Sequence, residues 1–450
     1  MEHRPRAPLG NMLGETREGL ALIALTGLSS IPLLMLTGTI DGAAARGDIV
    51  LPSWLSVGGA DDARALLSAI LGSVSTVLAL IFSVVLLVLS IAMSQLGPRL
   101  LRRFVADRFW RVTVGAFIAT FVQSLAALVL VRHQGGVIFV PETTCLCSVA
   151  MVLVSFGLLI VYTHRVAVTI QAGNVVADVV QDLERAIREV STQRVVDPGQ
   201  LAAPQGMPEG GLESLSTRCD AQGAVLTANN SGYVQSIEHE ELVLAALRAG
   251  VVVKMLIRPG QFVMSGAPLA RVLPAAGLAA VQRELIAAVR LGRHRTLRQD
   301  LEFGIAQVVE VALRALSPAV NDTFTGLTCV DWLGEELRAL ALLPRSDWAW
   351  RLPDGRICLL EVPLTFNRMV KTAFDQIRQA STGNPAVAIR IFRALERLGS
   401  VVAEHPQFGQ ALRAQVIALR EIAAADHLAS VDRADIEHAA QRALKEIGEA

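Results

Sequence analysis

Four apolar stretches fill the first third of the chain, at roughly residues 19–40, 65–93, 112–131 and 143–162. Each is about the 20 residues that a helix needs to cross a bilayer. None of them contains Asp, Glu, Lys, Arg or His. Such side chains within spans mark proton relays and coupled transport. Their absence argues against an ion-coupled pump and leaves a passive pore open. The first stretch reads as a span and not as a cleaved leader, because Pro32 and Thr37 make no small-residue cleavage site. Arginines set the orientation. Arg4, Arg6 and Arg17 precede the first span, Arg99, Arg102, Arg103, Arg108 and Arg111 separate the second from the third, and Arg165 follows the fourth. The opposite loops hold only Arg46, Arg64 and Arg132. The excess of positive charge predicts both termini in the cytoplasm.

The second span has an inner pattern. Ser68, Gly72, Ser75, Ala79, Ser83, Ser90 and Ser94 recur at intervals of three, four and seven, so they share one helical stripe. Small hydroxylated side chains leave room for water in a pore. They also let helix backbones approach closely, and that packing reading is the commoner one. Gly97-Pro98 should end the helix at the membrane surface. Arg99, Arg102 and Arg103 would then lie at headgroup level, as positive-inside anchors or anionic-lipid contacts.

The pattern changes after residue 165. Residues 166–190 continue as a helix with an apolar stripe of Val176, Val179, Val180, Leu183, Ile187 and Val190. That stripe would pair with a second copy or with the protein's own domain. Residues 191–217, rich in Pro and Gly, read as a linker. Residues 221–274 form a β-rich module. GAVLTANNSGYVQSI supplies two strands around a turn, a short helix follows at 238–249, and VVVKMLI and RPGQFVMSGAPLARVL supply the rest. From residue 281 the chain is mostly helical, with one hairpin, WAWRLPDGRICLLEV, around Asp354-Gly355. Asp432 is expected to cap the last helix. The fold class is therefore a four-span helical membrane protein plus a cytosolic α+β part. Its regions are 1–165 (spans), 166–217 (helix and linker), 218–280 (β module) and 281–450 (helical domain).

Composition agrees. Of 450 residues, 52% are hydrophobic, more than a soluble protein usually carries. The formal net charge is zero, so no basic surplus points to nucleic acid. Five scattered cysteines form neither a disulfide framework nor a zinc set. No P-loop, dinucleotide fingerprint or zinc-protease helix is present. No cofactor and no metal are expected. Asp426, His427, Asp432, Asp435 and His438 read as a solvated acidic helix end.

One polar stretch stands out, RALSPAVNDTFTG at 314–326. With the joint before it, the candidate ligand-binding residues are His294, Arg295, Asp300, Arg314, Ser317, Asn321 and Asp322. Arg295 and Arg314 would hold an anion, and Asn321 and Asp322 a hydroxyl or water. The competing reading is a structural corner. Pro318 ends one helix, Asn321 or Asp322 caps the next, and Arg314 pairs with an acid. Polar helix junctions outnumber active sites, which favours the corner. Ser317 has no nucleophile elbow around it, so no catalytic residue is assigned.

Two resemblances add to this reading. SGYVQSI and RPGQFVMSGAPLARV resemble the barrel-sandwich hybrid of lipoyl and biotinyl carrier domains. A helix stands where a carrier lysine would be presented, and Lys254 lies inside a strand, so no such modification is carried over. GADDARALLSAILGSVSTVLALIFSVVLLVLSIAMSQLGPRLLRRFVADR and RTLRQDLEFGIAQVVEVALRALSPAVNDTFTG, with the SGYVQSI module, resemble the bacterial family of predicted inner-membrane proteins catalogued as domain of unknown function 2254. The resemblance implies an integral membrane protein and no particular activity. The expected function is an oligomeric channel or pore in the inner membrane, gated by a cytosolic domain that takes an anionic ligand or a cytosolic partner. The alternative is a membrane-anchored sensor or scaffold without conduction, and a membrane-anchored enzyme comes third. Expected partners are the lipid bilayer and further copies of the chain.

Overall fold

The structure is a computed structural model. It describes residues 21–49, 52, 56–96, 108–134, 137–169, 172–192, 207–342, 348–352 and 355–448. The chain divides into two compact units, Met1–Gln171 and Ala172–Ala450.

The first unit holds four helices long and apolar enough to span a bilayer. They are α1 (Ala21–Ala45), α2 (Ala60–Leu96), α3 (Arg108–Leu130) and α4 (Glu142–Thr169). A short hairpin, β1 (Arg132–Gln134) with β2 (Val137–Phe139), joins the last two; the sequence reading did not anticipate it. Helix α2 buries one stripe, Ala63, Leu67, Ile70, Val74 and Ile81, spaced as a single helical face requires. Leu80, Leu86 and Leu87 stay exposed, as lipid-facing side chains would. Gly115 of α3 meets α1 so closely that a Cβ there would overlap Thr26. This is the backbone approach that small residues permit.

Helix α1 runs past the expected span end and takes in Asp41, which is buried. Its carboxylate accepts from the Thr143 and Thr144 backbone N–H groups at 2.8 and 3.0 Å and from the Thr144 hydroxyl at 2.6 Å. It thus caps the start of α4 from another helix. The free N–H groups and the positive end of the α4 dipole compensate its charge.

The second unit begins with α5 (Ala172–Thr192). Val176, Val180, Leu183 and Ile187 of its apolar stripe are buried in a core shared with α9 (Leu301–Ala315) and α10 (Thr323–Ala341). Of the two partners the stripe could have had, the protein's own domain is the one seen. The segment read as linker ends in a helix, α6 (Leu212–Gln222).

Two sheets follow. The larger takes the order β3-β7-β5-β10-β9, from Ala224–Thr227, Pro268–Leu273, Val252–Met255, Ile357–Leu360 and Ala349–Arg351. The smaller is β6-β4-β8, from Phe262–Val263, Gly232–Ile237 and Val289–Gly292. The hairpin β9–β10, read as part of the helical region, instead extends the larger sheet through a parallel β10–β5 pair. Strand β8 lies where the sequence suggested helix: α8 (Leu278–Ala288) stops, and Val289 to Gly292 pair with β4. The short helix α7 (His239–Ala249) sits between β4 and β5. Lys254 is in a strand, as expected, with its ammonium 2.6 Å from Asp220. Four further helices, α11 (Phe366–Ala380), α12 (Pro385–Glu404), α13 (Gly409–Ala425) and α14 (Ser430–Ile447), complete the helical core. Helix α14 starts after Ala429 without a side-chain cap, so Asp432 lies in its first turn and does not cap it.

Candidate functional site

The polar residues singled out in the sequence separate into two groups. Asp300 caps the start of α9, accepting from the Phe303 N–H at 3.0 Å. Arg295 grips it through two bonds of 2.8 and 2.9 Å. Burial raises the Asp300 pKa, and Arg295 opposes that rise. His294 is exposed, and its carbonyl accepts from the Gln235 amide. Arg314, Ser317, Asn321 and Asp322 lie at the other end of α9. The two groups sit at opposite ends of α9, whose 15 residues run about 22 Å at 1.5 Å per residue. One small ligand does not reach both.

The far group does the work of a corner. Asp322 caps α10, accepting from the Thr325 N–H at 3.1 Å and the Thr325 hydroxyl at 2.6 Å. Such a cap is worth about 1 kcal/mol. Asn321 takes a left-handed turn with φ of 51°, a conformation its short polar side chain tolerates. The Ser317 hydroxyl donates to the Arg314 carbonyl. Arg314 pairs with Glu310 on its own helix, so its ion pair does not tie the corner to another element. In the first unit, Ser68, Gly72, Ser75, Ala79, Ser83 and Ser90 are all exposed, opposite the buried stripe of α2. The Ser94 side chain and Arg99, Arg102 and Arg103 lie outside the described residues.

A better-formed site lies elsewhere in the second unit. A cavity of about 100 Å³ opens where the end of β4, the start of α7, the β5–β6 loop and the start of α9 meet the β9–β10 hairpin. Ile237, Met255, Ile257, Leu301, Val362 and Leu364 form its apolar wall. Its polar lining is His239, Glu361 and Trp350 on one side, with Arg258, Gln299 and Asp300 beside the start of α9. The His239 Nε2 lies 2.8 Å from a Glu361 carboxylate oxygen, and the Trp350 indole N–H donates to the same oxygen at 2.7 Å. The His239 ring stacks on Trp350 at 5.5 Å. With Nε2 placed against Glu361, Nδ1 is the ring's remaining polar atom.

The surroundings hold this arrangement. Gln299 stands in as a strand partner for β4, taking the Ile237 N–H at 2.8 Å and donating to its carbonyl at 3.0 Å. Trp348 has φ of 54°, a strained value for an aromatic residue. Its carbonyl receives the Glu361 N–H at 2.8 Å, which fixes Glu361 at the rim. The described lining contains no Ser, Thr, Cys or Lys. Sequence reading missed the cavity because His239 and Glu361 come from segments far apart in the chain, each unremarkable alone. The one local signal was the Trp pair in WAW.

The four helices of the first unit are long and apolar enough to cross a bilayer, and the second unit folds around its own sheets and helical core, the make-up of a predicted membrane protein with a further folded unit. The chain belongs to the predicted membrane protein family DUF2254, whose model matches residues 19–397. Uncharacterised proteins of Mycobacterium bovis and Mycobacterium tuberculosis are 28% identical over 393 residues, which is 85% of this chain and 72% of theirs. No solved structure matches.

Proposed function

We propose that the protein is a membrane-anchored sensor of a small molecule, bound in the cavity between His239, Glu361 and Trp350. The apolar wall with one oriented imidazole carries this reading. It fits a compact apolar body with a single N–H or O–H that the ring nitrogen accepts. Enclosed apolar pockets with a few convergent polar groups are the usual form of small-molecule sites. The arginine-rich loops support an inner-membrane location with the termini and the second unit in the cytoplasm. In full-length protein in nanodiscs, phenol is expected to quench tryptophan fluorescence and raise the melting temperature in proportion to its occupancy. Anisole, which lacks the donor, should do so at least fivefold less well. His239→Ala should remove that preference. Equal binding of both probes, or a preference that survives in the variant, would dispose of the site.

The alternative, an oligomeric channel lined by α2, draws support from the exposed small-residue face of that helix. A shared pore of this kind requires three or more chains. A monomeric mass in nanodiscs would remove it.

A further inference from the structure

The interior of the first unit is unusually polar for a helix bundle in lipid. Ser30 and Thr37 of α1, Thr113 and Thr120 of α3, and Ser148 and Ser155 of α4 are all buried. Helix α2 turns only apolar side chains inward among the described residues. Part of this polarity joins helices. The Thr120 and Ser155 hydroxyls lie 2.9 Å apart, and the Thr144 and Thr37 hydroxyls 3.1 Å apart. Interhelical bonds of this kind hold spans together.

Gln123 and Ser124 behave differently. Both have no exposed surface. Neither end of the Gln123 amide, nor the Ser124 hydroxyl, has a hydrogen-bond partner in the protein. On α3 they stand one turn from Thr120 and one turn from Ala127, which packs with Cys145 of α4. Along α4, Ser148 falls in the same interval, between Cys145 and Ser155. The polar side chains therefore form a line from the Asp41 end through this level to Thr113. An unpaired amide in a bilayer interior is costly, because no water is there to satisfy it. Buried groups left unpaired by the protein call for a non-protein partner.

We propose that this line is a path for small uncharged polar solutes inside a single chain, with Gln123 and Ser124 as its central binding site. The occupant has to both donate and accept, because the amide offers an acceptor and two donors. It is uncharged, because Asp41 is the only buried charged side chain among the described residues of the unit, and Asp41 is already bonded to the start of α4. Beyond Thr113 the line ends at Trp110, which packs against Tyr162 with ring centroids 5.2 Å apart. That contact is the closed end of the path. The path is independent of the cavity in the second unit, and it does not use the outer face of α2.

The test is stopped-flow light scattering of proteoliposomes with urea as the probe, on the full chain. Wild type and Trp110→Ala, which removes the closing ring, are compared with empty vesicles. Urea entry is expected to be at least fivefold faster through Trp110→Ala than through empty vesicles, and to return to background in Trp110→Ala/Gln123→Leu. Ser75→Leu with Ser83→Leu, on the outer face of α2, should leave it unchanged. Sodium should not pass. Gln123→Leu removes an unpaired amide, so it should fold and melt no lower than wild type. The path is overturned by background urea entry in both wild type and Trp110→Ala, or by flux that Gln123→Leu leaves intact. Sodium flux, loss of flux in the α2 variant, or failure of Gln123→Leu to fold would each overturn it as well.

Discussion

Replacing Glu302 with alanine is expected to destabilise the second unit by roughly 3–5 kcal/mol, the range for removing one partner of a buried ion pair. Glu302 is the second residue of α9 and only 8% exposed. Its carboxylate takes Arg258 at 2.8 Å, Arg368 at 2.9 and 3.0 Å, and the Thr372 hydroxyl at 3.1 Å. Three elements meet on one side chain: the β5–β6 loop, α9 and α11. Burial pushes its pKa up, but Arg368 and Arg258 outweigh burial and hold the carboxyl below the ordinary glutamate value. A lowered acid stabilises the fold above the unfolded pKa, and that share disappears as pH falls through the folded pKa. Most of the cost should come from Arg258, which is enclosed. The Arg368 side chain is 54% exposed, and solvent screens its half of the bridge. Arg258 also lines the cavity, so losing Glu302 should loosen the site as well as the fold. Hydrogen exchange on the full chain should show faster opening of the β5–β6 loop and the start of α11, with the span helices unchanged. Unaltered exchange in both segments would mean that the bridge is ornamental. Glu302→Gln keeps the shape without the charge and should fall between alanine and wild type.

The legible parts of this molecule are those with a local cause. Four runs of apolar residues predict four helices because a bilayer demands length and apolarity from each segment separately. The stripe on α5 was visible as a 3.6-residue period, and the structure supplies its partner. Asp322 was readable as a cap because capping is a contact over three residues. The rest depends on pairings that leave no local trace. Strand β10 looks like half of a hairpin, and nothing near it predicts a parallel partner as distant as β5. Val289 to Gly292 continues a helical pattern and becomes a strand because β4 lies beside it. Arg295 and Arg314 looked alike as anion ligands, yet one grips a buried cap and the other pairs along its own helix. The assembly of His239, Trp350 and Glu361 requires α7, β9 and the end of β10 to be placed first. Asp41 carries no local signal, because the helix end that it caps belongs to another span.

Glu336 should make the second unit less stable as pH rises from 4.5 to about 7. This side chain of α10 is 2% exposed and lies toward α5. Burial raises its pKa most, and the negative charges of Glu184 on α5 and Glu335 on α10 add to the rise; Arg188 opposes it. The Arg188 guanidinium is already shared with Glu184, at 3.5 Å. Glu335 is paired with Arg338 at 2.6 Å, which reduces its influence. The carboxyl is pushed from 4.5 up to about 7. For an acid with a raised pKa the unfolded chain loses its proton first. The contribution is therefore fully present below the unfolded value and is lost as pH rises from there through about 7. At 1.36 kcal/mol per pKa unit the whole swing is about 3 kcal/mol. Glu336→Gln should remove it, so the variant gains stability over wild type at pH 8 and matches it near pH 4. The readout is hydrogen exchange of α5 and α10 amides in the full chain, corrected for the intrinsic pH dependence of exchange. Wild type should show protection of the two helices falling together as pH rises, and Glu336→Gln should be flat. The helices should loosen as a pair because Leu183 and Ile187 of α5 share one core with Leu333, Leu337 and Leu340 of α10. A wild type whose protection is equally flat would show that Glu336 is charged and solvated in the folded protein. Since α5 is the first helix of its unit, a swing of this size would act on the element that opens that unit.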